Sequence, residues 1–457
     1  MIAATIGKTF LKTFNEKTGK NYSAKEFFEM EYFECFYNHP KYMQWVTNSP
    51  FVQMKAGQKP ELLKSNERKE KLNDLHNKID EGECDASIAI GFPASELKEF
   101  ATTSGLVTDI TSTTEKDDIY FSWIGGGLGV GVAGGYSIYF DEPEILFDIY
   151  KGWHEYRNLL NDSSLHSMRG NQINTWNGQW LSLYYNKYFR EDFDFTHLQN
   201  RNAISVSEKL IEVNTINWSD LFFEISNKYS KKTVIGYVYS LGQTNKTLGF
   251  FPFYFEKAET LKKYYTVLFG EQAAISEAKD YQSLFGIHVK RACELGSIGL
   301  QALEPKDLRK YFGNDSNLKL LKPKTGNDEE KNIKSLQKDY ENIITYRTYK
   351  TWLLAMITKN KEESLEYTAE VAKALHEYRD KASKNDRKNL IDKELLSAKS
   401  KKQFLDALVA IVKEVEQDSL QVFKTLRDKV HLMSAEDFGY FVVLLKFDYA
   451  YAERERN

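Results

Sequence analysis

Cysteine is scarce in this chain of 457 residues. The three that occur, Cys35, Cys84 and Cys293, lie far apart and form no C-x-x-C pair, which argues against a structural zinc site and a disulfide framework. No run of about eighteen apolar residues is present, and the first residues lack the apolar stretch of a signal peptide. We therefore expect a cytoplasmic protein in a reducing compartment, with no membrane partner.

An excess of charge of one sign is also lacking. The chain has 62 Lys and Arg residues against 65 Asp and Glu residues, and its formal net charge is -3. A chain with this balance has no overall electrostatic footprint for nucleic acid. Any binding of DNA or RNA must come from a local patch.

The common catalytic motifs are missing as well. There is no G-x-x-x-x-G-K-[ST] phosphate loop, no G-x-S-x-G elbow and no H-R-D loop, and the eight histidines form no H-x-x-x-H or H-E-x-x-H pair. The sequence thus predicts no catalytic residue, no metal and no other cofactor, and we expect that the protein is not an enzyme.

Glycine, in contrast, is concentrated in one place. The stretch WIGGGLGVGVAGGYSIYF, 123–140, has seven glycines between Gly125 and Gly135 and matches the dinucleotide fingerprint G-x-G-x-x-G. In a Rossmann unit a helix begins directly after these glycines, but the next residues, YSIYF, are typical of a strand. We expect a glycine-rich link between two strands, 119–124 and 136–140, that permits a tight bend or the close approach of a protein or DNA backbone. A nucleotide-dependent enzyme that uses Gly125–Gly135 as a phosphate cradle stays open as the alternative.

Several other segments have patterns of their own. The spacing of apolar residues predicts a helix over 143–160, and β-branched residues predict strands over 86–92 and 233–242. The apolar run 248–255, interrupted by Pro252, is predicted to be an edge strand or a loop packed on the core. The polar segment 55–82 is predicted to be an exposed helix or a mobile insertion.

The composition predicts an α+β fold: an irregular mixed N-terminal domain, 1–312, followed by an all-helical C-terminal bundle, 340–457. Between them, 313–339 combines turn residues with dense charge and is predicted to be a linker. Beyond it proline is absent and apolar stripes recur at helical spacing, for example Phe404, Leu408 and Ile411. Ser434 and Asp437 have the spacing of a capping box before the last helix.

Two features indicate recognition of a ligand rather than chemistry. In GNQINTWNGQW, 170–180, amides alternate with tryptophans, and such side chains can bond base edges or wedge between bases. The members concerned are Asn171, Gln172, Asn174, Trp176, Asn177 and Gln179. An equally good interpretation is a polar loop whose amides cap their own backbone, with the indole rings buried.

The second feature is a set of basic residues on the C-terminal helices that could follow a sugar-phosphate backbone. The set consists of Lys401, Lys402, Lys413, Lys424 and Arg427. Because acidic residues are interleaved with them, an ordinary solvated helix face is the alternative. Lys290 and Arg291 are weaker candidates for backbone contact.

Three stretches are similar to a known family. They are WVTNSPFVQM (45–54), in which Asn48 and Ser49 replace the family's small Gly-Asn pair, TWNGQW (175–180), and LRDKVHLMSAEDFGYFVVLLKFDYAYAER (426–454). Together with the domain layout, they resemble the large subunit of type I CRISPR interference complexes (Cascade), of the I-B kind.

This resemblance implies a non-catalytic subunit of an RNA-guided antiviral complex. Such a subunit reads the protospacer-adjacent motif in duplex DNA, helps to open the strands and provides the docking surface for a helicase-nuclease. Its partners are the guide RNA, the backbone and RNA-end-binding subunits, the small subunit and the target DNA.

By analogy, Gly125, Gly126 and Gly127 and the amide and tryptophan residues would read the motif, and the bundle, which resembles the small subunit, would support the displaced strand. An internal start at Met356 would give a separate small subunit. A protein-binding scaffold with an aromatic surface is a third hypothesis.

Overall fold

The computed structural model describes residues 2–46, 49–55, 57–81, 115–240, 246–269, 347–348, 350–355, 361–381 and 385–455, with short pieces at 285–287, 292–293, 297–298 and 303–305. The predicted linker 313–339, the predicted strand 86–92, Lys290, Arg291 and Met356 lie outside these residues. Contacts divide the chain into two compact units. Unit 1 comprises Met1–Glu256, Glu277–Lys279 and Val289–Gly299, and unit 2 comprises Lys257–Ser276, Asp280–His288 and Leu300–Asn457.

Unit 1 is a mixed α+β structure, as the composition predicts. Its helices are α1 (Ile2–Thr18), α2 (Ala24–Phe27), which continues through a π-helix (Phe28–Phe33) into α3 (Glu34–Phe36), α4 (Ser65–Glu81), α5 (Lys116–Gly127), α6 (Pro143–Asn161), α7 (Ile173–Tyr184), α8 (Phe195–Asn200) and α9 (Trp218–Lys228). Its strands are β1 (Val130–Val132), β2 (Tyr136–Phe140), β3 (Ile204–Val206), β4 (Ile211–Val213), β5 (Thr233–Ser240) and β6 (Lys246–Tyr254).

Aromatic rings fill the core of unit 1. Phe36 packs edge-on against Trp153 at 4.8 Å between ring centroids, and Tyr32 stacks on Phe36 at 4.1 Å. Phe51, which lies in the 45–54 stretch, stacks on Tyr37 at 4.1 Å and is fully buried. Burial of such large apolar surfaces is the main driving force for folding here.

Helices α1 and α5 approach each other backbone to backbone. A Cβ placed on Gly125 would lie 1.9 Å from the carbonyl oxygen of Ala3, and one on Gly7 would lie 2.0 Å from that of Phe121. Only glycine leaves room for this contact.

The predicted strand 119–124 is wrong, because these residues belong to helix α5. Because α5 is buried on several sides, from Ile119 to Gly127, its sequence lacks the apolar stripe that marks a surface helix.

The main sheet of unit 1 is antiparallel, in the order β1-β2-β5-β6. Gly134 and Gly135, both with positive φ, form the turn between β1 and β2. The strand prediction for 136–140 and the helix prediction for 143–160 are confirmed. The strand prediction for 233–242 is confirmed over Thr233–Ser240, and its last two residues lie outside the described residues. The apolar run with Pro252 is the last strand of the sheet, β6, which agrees with an edge position.

Two further elements of unit 1 lie outside that sheet. Strands β3 and β4 form a two-stranded ribbon. Within the polar segment 55–82, residues 65–81 form α4, which buries Leu75, His76 and Ile79. The interpretation of 55–82 as an exposed helix therefore holds only for its outer face.

The first elements of unit 2 are α10 (Glu256–Phe269), of which Glu256 itself is counted in unit 1, and a small ribbon of β7 (Phe285–Ile287) and β8 (Leu303–Pro305). Its helical bundle consists of α11 (Lys361–Asp380), α12 (Asn385–Asn389) with a π-helix (Leu390–Leu395), α13 (Lys401–Glu414), α14 (Gln417–Leu432) and α15 (Ala435–Glu455).

The bundle buries the apolar stripes that the sequence predicts. Phe404, Leu408 and Ile411 of α13 lie in one cluster with buried residues of α11, α14 and α15. The backbone N–H of Asp437 donates to the Ser434 hydroxyl at 3.0 Å, as the capping spacing indicates. The fold class is therefore α+β with a helical C-terminal region.

Gly125→Ala tests the α1–α5 contact. The new methyl group would force the two helices apart, and we expect a loss of about 3 kcal/mol in the free energy of unfolding. Gly439→Ala is the control, because a Cβ on this helical glycine of α15 meets nothing within 4 Å; alanine there should add up to about 1 kcal/mol. Urea unfolding followed by far-UV circular dichroism measures both, and wild-type stability in Gly125→Ala would contradict the packing described.

Candidate functional site

The glycines at the end of α5 are part of the protein core. Gly125, Gly126 and Gly127 are all buried. A Cβ on Gly127 would lie 3.0–3.1 Å from the rings of Tyr32, Phe36 and Trp153. The expectation that these glycines admit a DNA backbone is therefore corrected: neighbouring protein atoms fill the space beside Gly125 and Gly127, and Gly126 is buried between them.

The next glycines seat the β1–β2 hairpin on α7. A Cβ on Gly131 would lie 2.9 Å from the carbonyl oxygen of Asn174, and one on Gly178 would lie 2.5 Å from that of Gly131. The close backbone approach that the sequence predicts does occur. It joins a strand to a helix of the same unit, and it leaves no open cradle for phosphate at these positions.

The amide and tryptophan segment is mostly helix α7 rather than a loop. The Asn177 side chain is fully buried, and its Nδ2 donates to the carbonyl oxygens of Gly127 and Gly129, both at 2.8 Å. Trp176 is also fully buried, with Nε1 donating to Gly152 O at 2.7 Å. These side chains bond the protein's own backbone, which is the alternative that the sequence left open.

The remaining amides all form hydrogen bonds, and one of them is exposed. Gln172 behaves like a strand residue, accepting from the N–H of Val213 at 3.1 Å and donating to its carbonyl at 3.3 Å. Gln179 Nε2 donates to Asn214 O at 2.8 Å, and Asn174 Nδ2 donates to the Ser137 hydroxyl at 3.3 Å. Asn171 is the exposed member of the six. Contact of the buried members with DNA would require the core to open.

The basic residues of the bundle have two different environments. Lys401 Nζ donates to the carbonyl oxygens of His431 and Met433, at 3.3 and 2.9 Å, and so caps the end of α14. Lys402, Lys413, Lys424 and Arg427 are exposed. Arg427 forms an ion pair with the adjacent Asp428 at 2.8 Å.

Helical geometry groups the exposed cations. Lys402 and Lys413 are eleven residues apart, close to three turns, and therefore share one face of α13. Lys424 and Arg427 are one turn apart on α14. The apolar stripes of both helices are buried in the bundle, so these cations lie on the solvent side.

A cleft that the sequence did not predict lies elsewhere in unit 1. It has a volume of about 530 Å³ and is lined by Tyr184, Tyr185, Lys187, Phe189, Glu191, Asn227 and Lys228. We call it the Tyr–Lys cleft. It combines aromatic rings with ammonium groups in one concave surface.

A buried carboxylate fixes the ammonium groups beside this cleft. Asp148 of α6 is only 2% exposed. It accepts from Lys151 Nζ at 2.8 Å, from Lys228 Nζ at 2.7 Å and from the Tyr185 hydroxyl at 3.0 Å. Burial and the Asp148 carboxylate raise the pKa of Tyr185 far above its ordinary value, which keeps its hydroxyl a donor. One carboxylate thus faces two lysines, and this group carries excess positive charge.

A column of stacked rings ends at the cleft. Tyr156, Trp176, Trp180 and Tyr184 stack in sequence, with centroid separations of 5.4, 6.3 and 5.2 Å. Three of them are spaced four residues apart on α7, so that their rings lie one above the other. Trp180 Nε1 donates to Asp148 O at 2.7 Å. The column is therefore bonded to the main chain of the residue that carries the buried carboxylate.

Sequence reasoning missed this site because it is assembled from three separate segments. The signals that were available are Asp148, an acidic residue among the buried positions of α6, and the aromatic residues on both sides of Lys187 in LYYNKYF, 183–189. Neither signal gives the proximity of Lys228, which only the fold provides.

Comparison with family models, with curated proteins and with solved structures finds no match. In the part of the chain that the structure describes, no three His, Cys, Asp or Glu side chains are grouped so that they could hold a metal ion. Within the same residues, every helix is too short or too polar to cross a membrane.

Asn177→Asp tests whether the amide segment is structural. A carboxylate at this position would face two carbonyl oxygens in a buried site with no N–H to donate, and we expect a loss of at least about 3 kcal/mol at neutral pH. The matched control is Asn171→Asp, since Asn171 is exposed and accepts from Arg169 Nε at 3.3 Å, a bond that a carboxylate retains. Urea midpoints compare the two variants, and equal midpoints would argue against the structural role of Asn177.

Proposed function

We propose that this protein is the non-catalytic large subunit of a type I CRISPR interference complex, of the I-B kind, which recognises the motif beside its target in duplex DNA and stabilises the opened strands. The proposal rests on the resemblance of three sequence stretches and on the layout of an α+β part followed by a helical bundle. On the same basis we place it in the cytoplasm, with guide RNA, the other complex subunits and a helicase-nuclease as partners.

The observation that carries the proposal is the exposed set of cations on the bundle. Lys402, Lys413 and Lys424 are exposed while the apolar sides of their helices are buried. Exposed ammonium groups can neutralise phosphates without first breaking internal ion pairs. In this proposal the three lysines contact the backbone of the displaced DNA strand. Lys401 is left out of this set because it caps α14.

The role of motif reader is assigned differently from the sequence expectation. Asn171 remains available at the surface, whereas Gly125–Gly127, Trp176 and Asn177 hold the core together. The phosphate-cradle alternative is not carried further, because Gly125, Gly127 and Gly131 are packed against other parts of the same unit.

The first test is co-purification with the products of neighbouring genes. If the proposal holds, a tagged chain should bring down several partner proteins together with a short RNA of uniform length, visible on a denaturing gel. A chain that elutes alone and free of RNA, when its neighbours are expressed at comparable levels, would remove the basis for the proposal.

The second test concerns the bundle lysines. The triple variant Lys402→Gln, Lys413→Gln, Lys424→Gln should weaken binding of the complex to target DNA and reduce the slope of log K against log salt by about 2, since each single-strand phosphate contact contributes about 0.7. The control replaces Lys8, Lys12 and Lys69, which are exposed lysines of unit 1, by Gln. Equal changes of slope in the two triple variants would contradict a specific role for the bundle.

A further inference from the structure

We propose that the Tyr–Lys cleft of unit 1 binds one nucleotide unit, a phosphate with its attached nucleobase, supplied either by single-stranded nucleic acid or by a free nucleotide. None of its lining residues belongs to the surfaces invoked for the proposed function, and the inference does not depend on that function. The argument comes from the charge, the rings and the size of the cleft.

The ammonium groups provide a preorganised site for an anion. Lys228 Nζ has three N–H bonds and directs one of them to Asp148 at 2.7 Å, while its side chain is 43% exposed. Its remaining donors are therefore accessible from solvent. Lys187, at the surface of the same cleft, lies 4.8 Å from the centroid of the Tyr188 ring. The buried carboxylate holds Lys228 in one position, so that less side-chain freedom is lost when an anion binds.

The charge balance favours a single phosphate over a chain of phosphates. Lys151 directs two donors inward, to Asp148 and to the Tyr184 hydroxyl, both at 2.8 Å. Hydrogen bonds to these groups, acting against burial, raise the pKa of Lys151, so it stays charged. Glu191 also lines the cleft and would repel additional phosphates. The net charge nearby is thus positive but small, which suits one phosphodiester or monophosphate.

The rings provide the surface for a base. Tyr184 is held by the stack on Trp180 at 5.2 Å and by the edge of Phe189 at 5.1 Å. Lys151 Nζ and Lys228 Nζ also lie 4.9 and 5.6 Å from the centroid of the Tyr184 ring. A base in the cleft would therefore contact this fixed ring beside its ammonium groups, a contact that bases of any sequence can make. Aromatic and cationic groups together are typical of sites for single-stranded nucleic acid rather than for duplex grooves.

The dimensions are consistent with this ligand. A volume of about 530 Å³ falls within the range of about 300–1,000 Å³ that is usual for small-ligand sites. An acidic peptide would satisfy the lysines but would leave the aromatic platform without a partner. It is therefore treated as a competing outcome in the experiment.

The experiment measures binding to the purified full chain by fluorescence anisotropy. Two labelled probes are used, a ten-residue oligothymidylate and a fluorescent derivative of AMP, with oligoglutamate as the competitor. The double variant Lys187→Gln, Lys228→Gln should bind the better probe at least about tenfold more weakly. Lys231→Gln removes one exposed charge near α9 without touching the cleft lining, and it should stay within about twofold of the wild type.

Each outcome has a defined meaning. Binding of the oligonucleotide but not of AMP identifies nucleic acid as the source of the nucleotide unit, and the reverse identifies a free nucleotide. Four results would each overturn the proposal. Two concern the variants: equal losses of affinity in the double variant and in Lys231→Gln, or no loss in the double variant. The other two concern the ligands: no binding of either probe, or displacement of the bound probe by oligoglutamate at equal charge.

Folding is controlled within the same set of variants. In Lys228→Gln the buried Asp148 keeps its bonds to Lys151 and Tyr185, and Lys187→Gln changes an exposed side chain. Lys187→Gln should therefore retain the wild-type thermal midpoint, whereas Lys228→Gln removes one of the two cations beside buried Asp148 and should lower it. Binding is measured at a temperature below the midpoints of all variants. The binding assay uses the isolated chain, so its result and the result of the co-purification test are independent. A negative binding result does not bear on the proposed function, and an RNA-free purification does not bear on the cleft.

Discussion

The architecture of unit 1 depends on one side chain, the amide of Asn177. Its two donors bond the carbonyl oxygens of Gly127 and Gly129, which lie just before the β1–β2 hairpin. These carbonyls lie at the end of α5 and just before the strand ladder, where the end of a helix leaves carbonyl groups in need of other donors. Trp153 Nε1 also donates to Gly127 O, at 3.1 Å. By bonding both carbonyls, Asn177 joins α5, the hairpin and α7, and the neighbouring glycines allow the three elements to come close enough for the bonds to form.

The Tyr–Lys cleft shows how a core carboxylate can shape a surface. A fully buried Asp148 would carry a large desolvation cost if it stood alone. Two lysines and one tyrosine hydroxyl offset that cost, and the lysines consequently hold fixed positions at the rim. The bonds that stabilise the buried Asp148 carboxylate thus also order two lysine ammonium groups at the surface. This ordering does not increase the net charge of the protein.

The extent to which the sequence predicts this structure follows from how each element is buried. The helix at 143–160, the strand at 136–140 and the bundle stripes around Phe404 each bury one side, so their periodicity is visible. The sequence does not predict helix α5, because this helix is buried on several sides and ends in three glycines.

The sequence also does not assign the roles of Asn177 and Gln172. An amide side chain bonds a base edge or a distant carbonyl equally well, and the partners of these two amides lie about forty to fifty residues away in the chain. The cleft requires Asp148, the 183–189 segment and Lys228 to meet, which only the folded chain specifies.

The contact between β1 and α7 has an evolutionary consequence. Gly131 makes room for the backbone at Asn174, and Gly178 makes room for the carbonyl of Gly131, so a side chain at either position would collide with main-chain atoms that cannot rotate away. As the rest of the chain diverges, these glycines should be among the slowest positions to change. A G-x-G-x-x-G pattern in this segment would then persist by selection for packing alone, and its presence in distant homologues would carry no information about nucleotide binding.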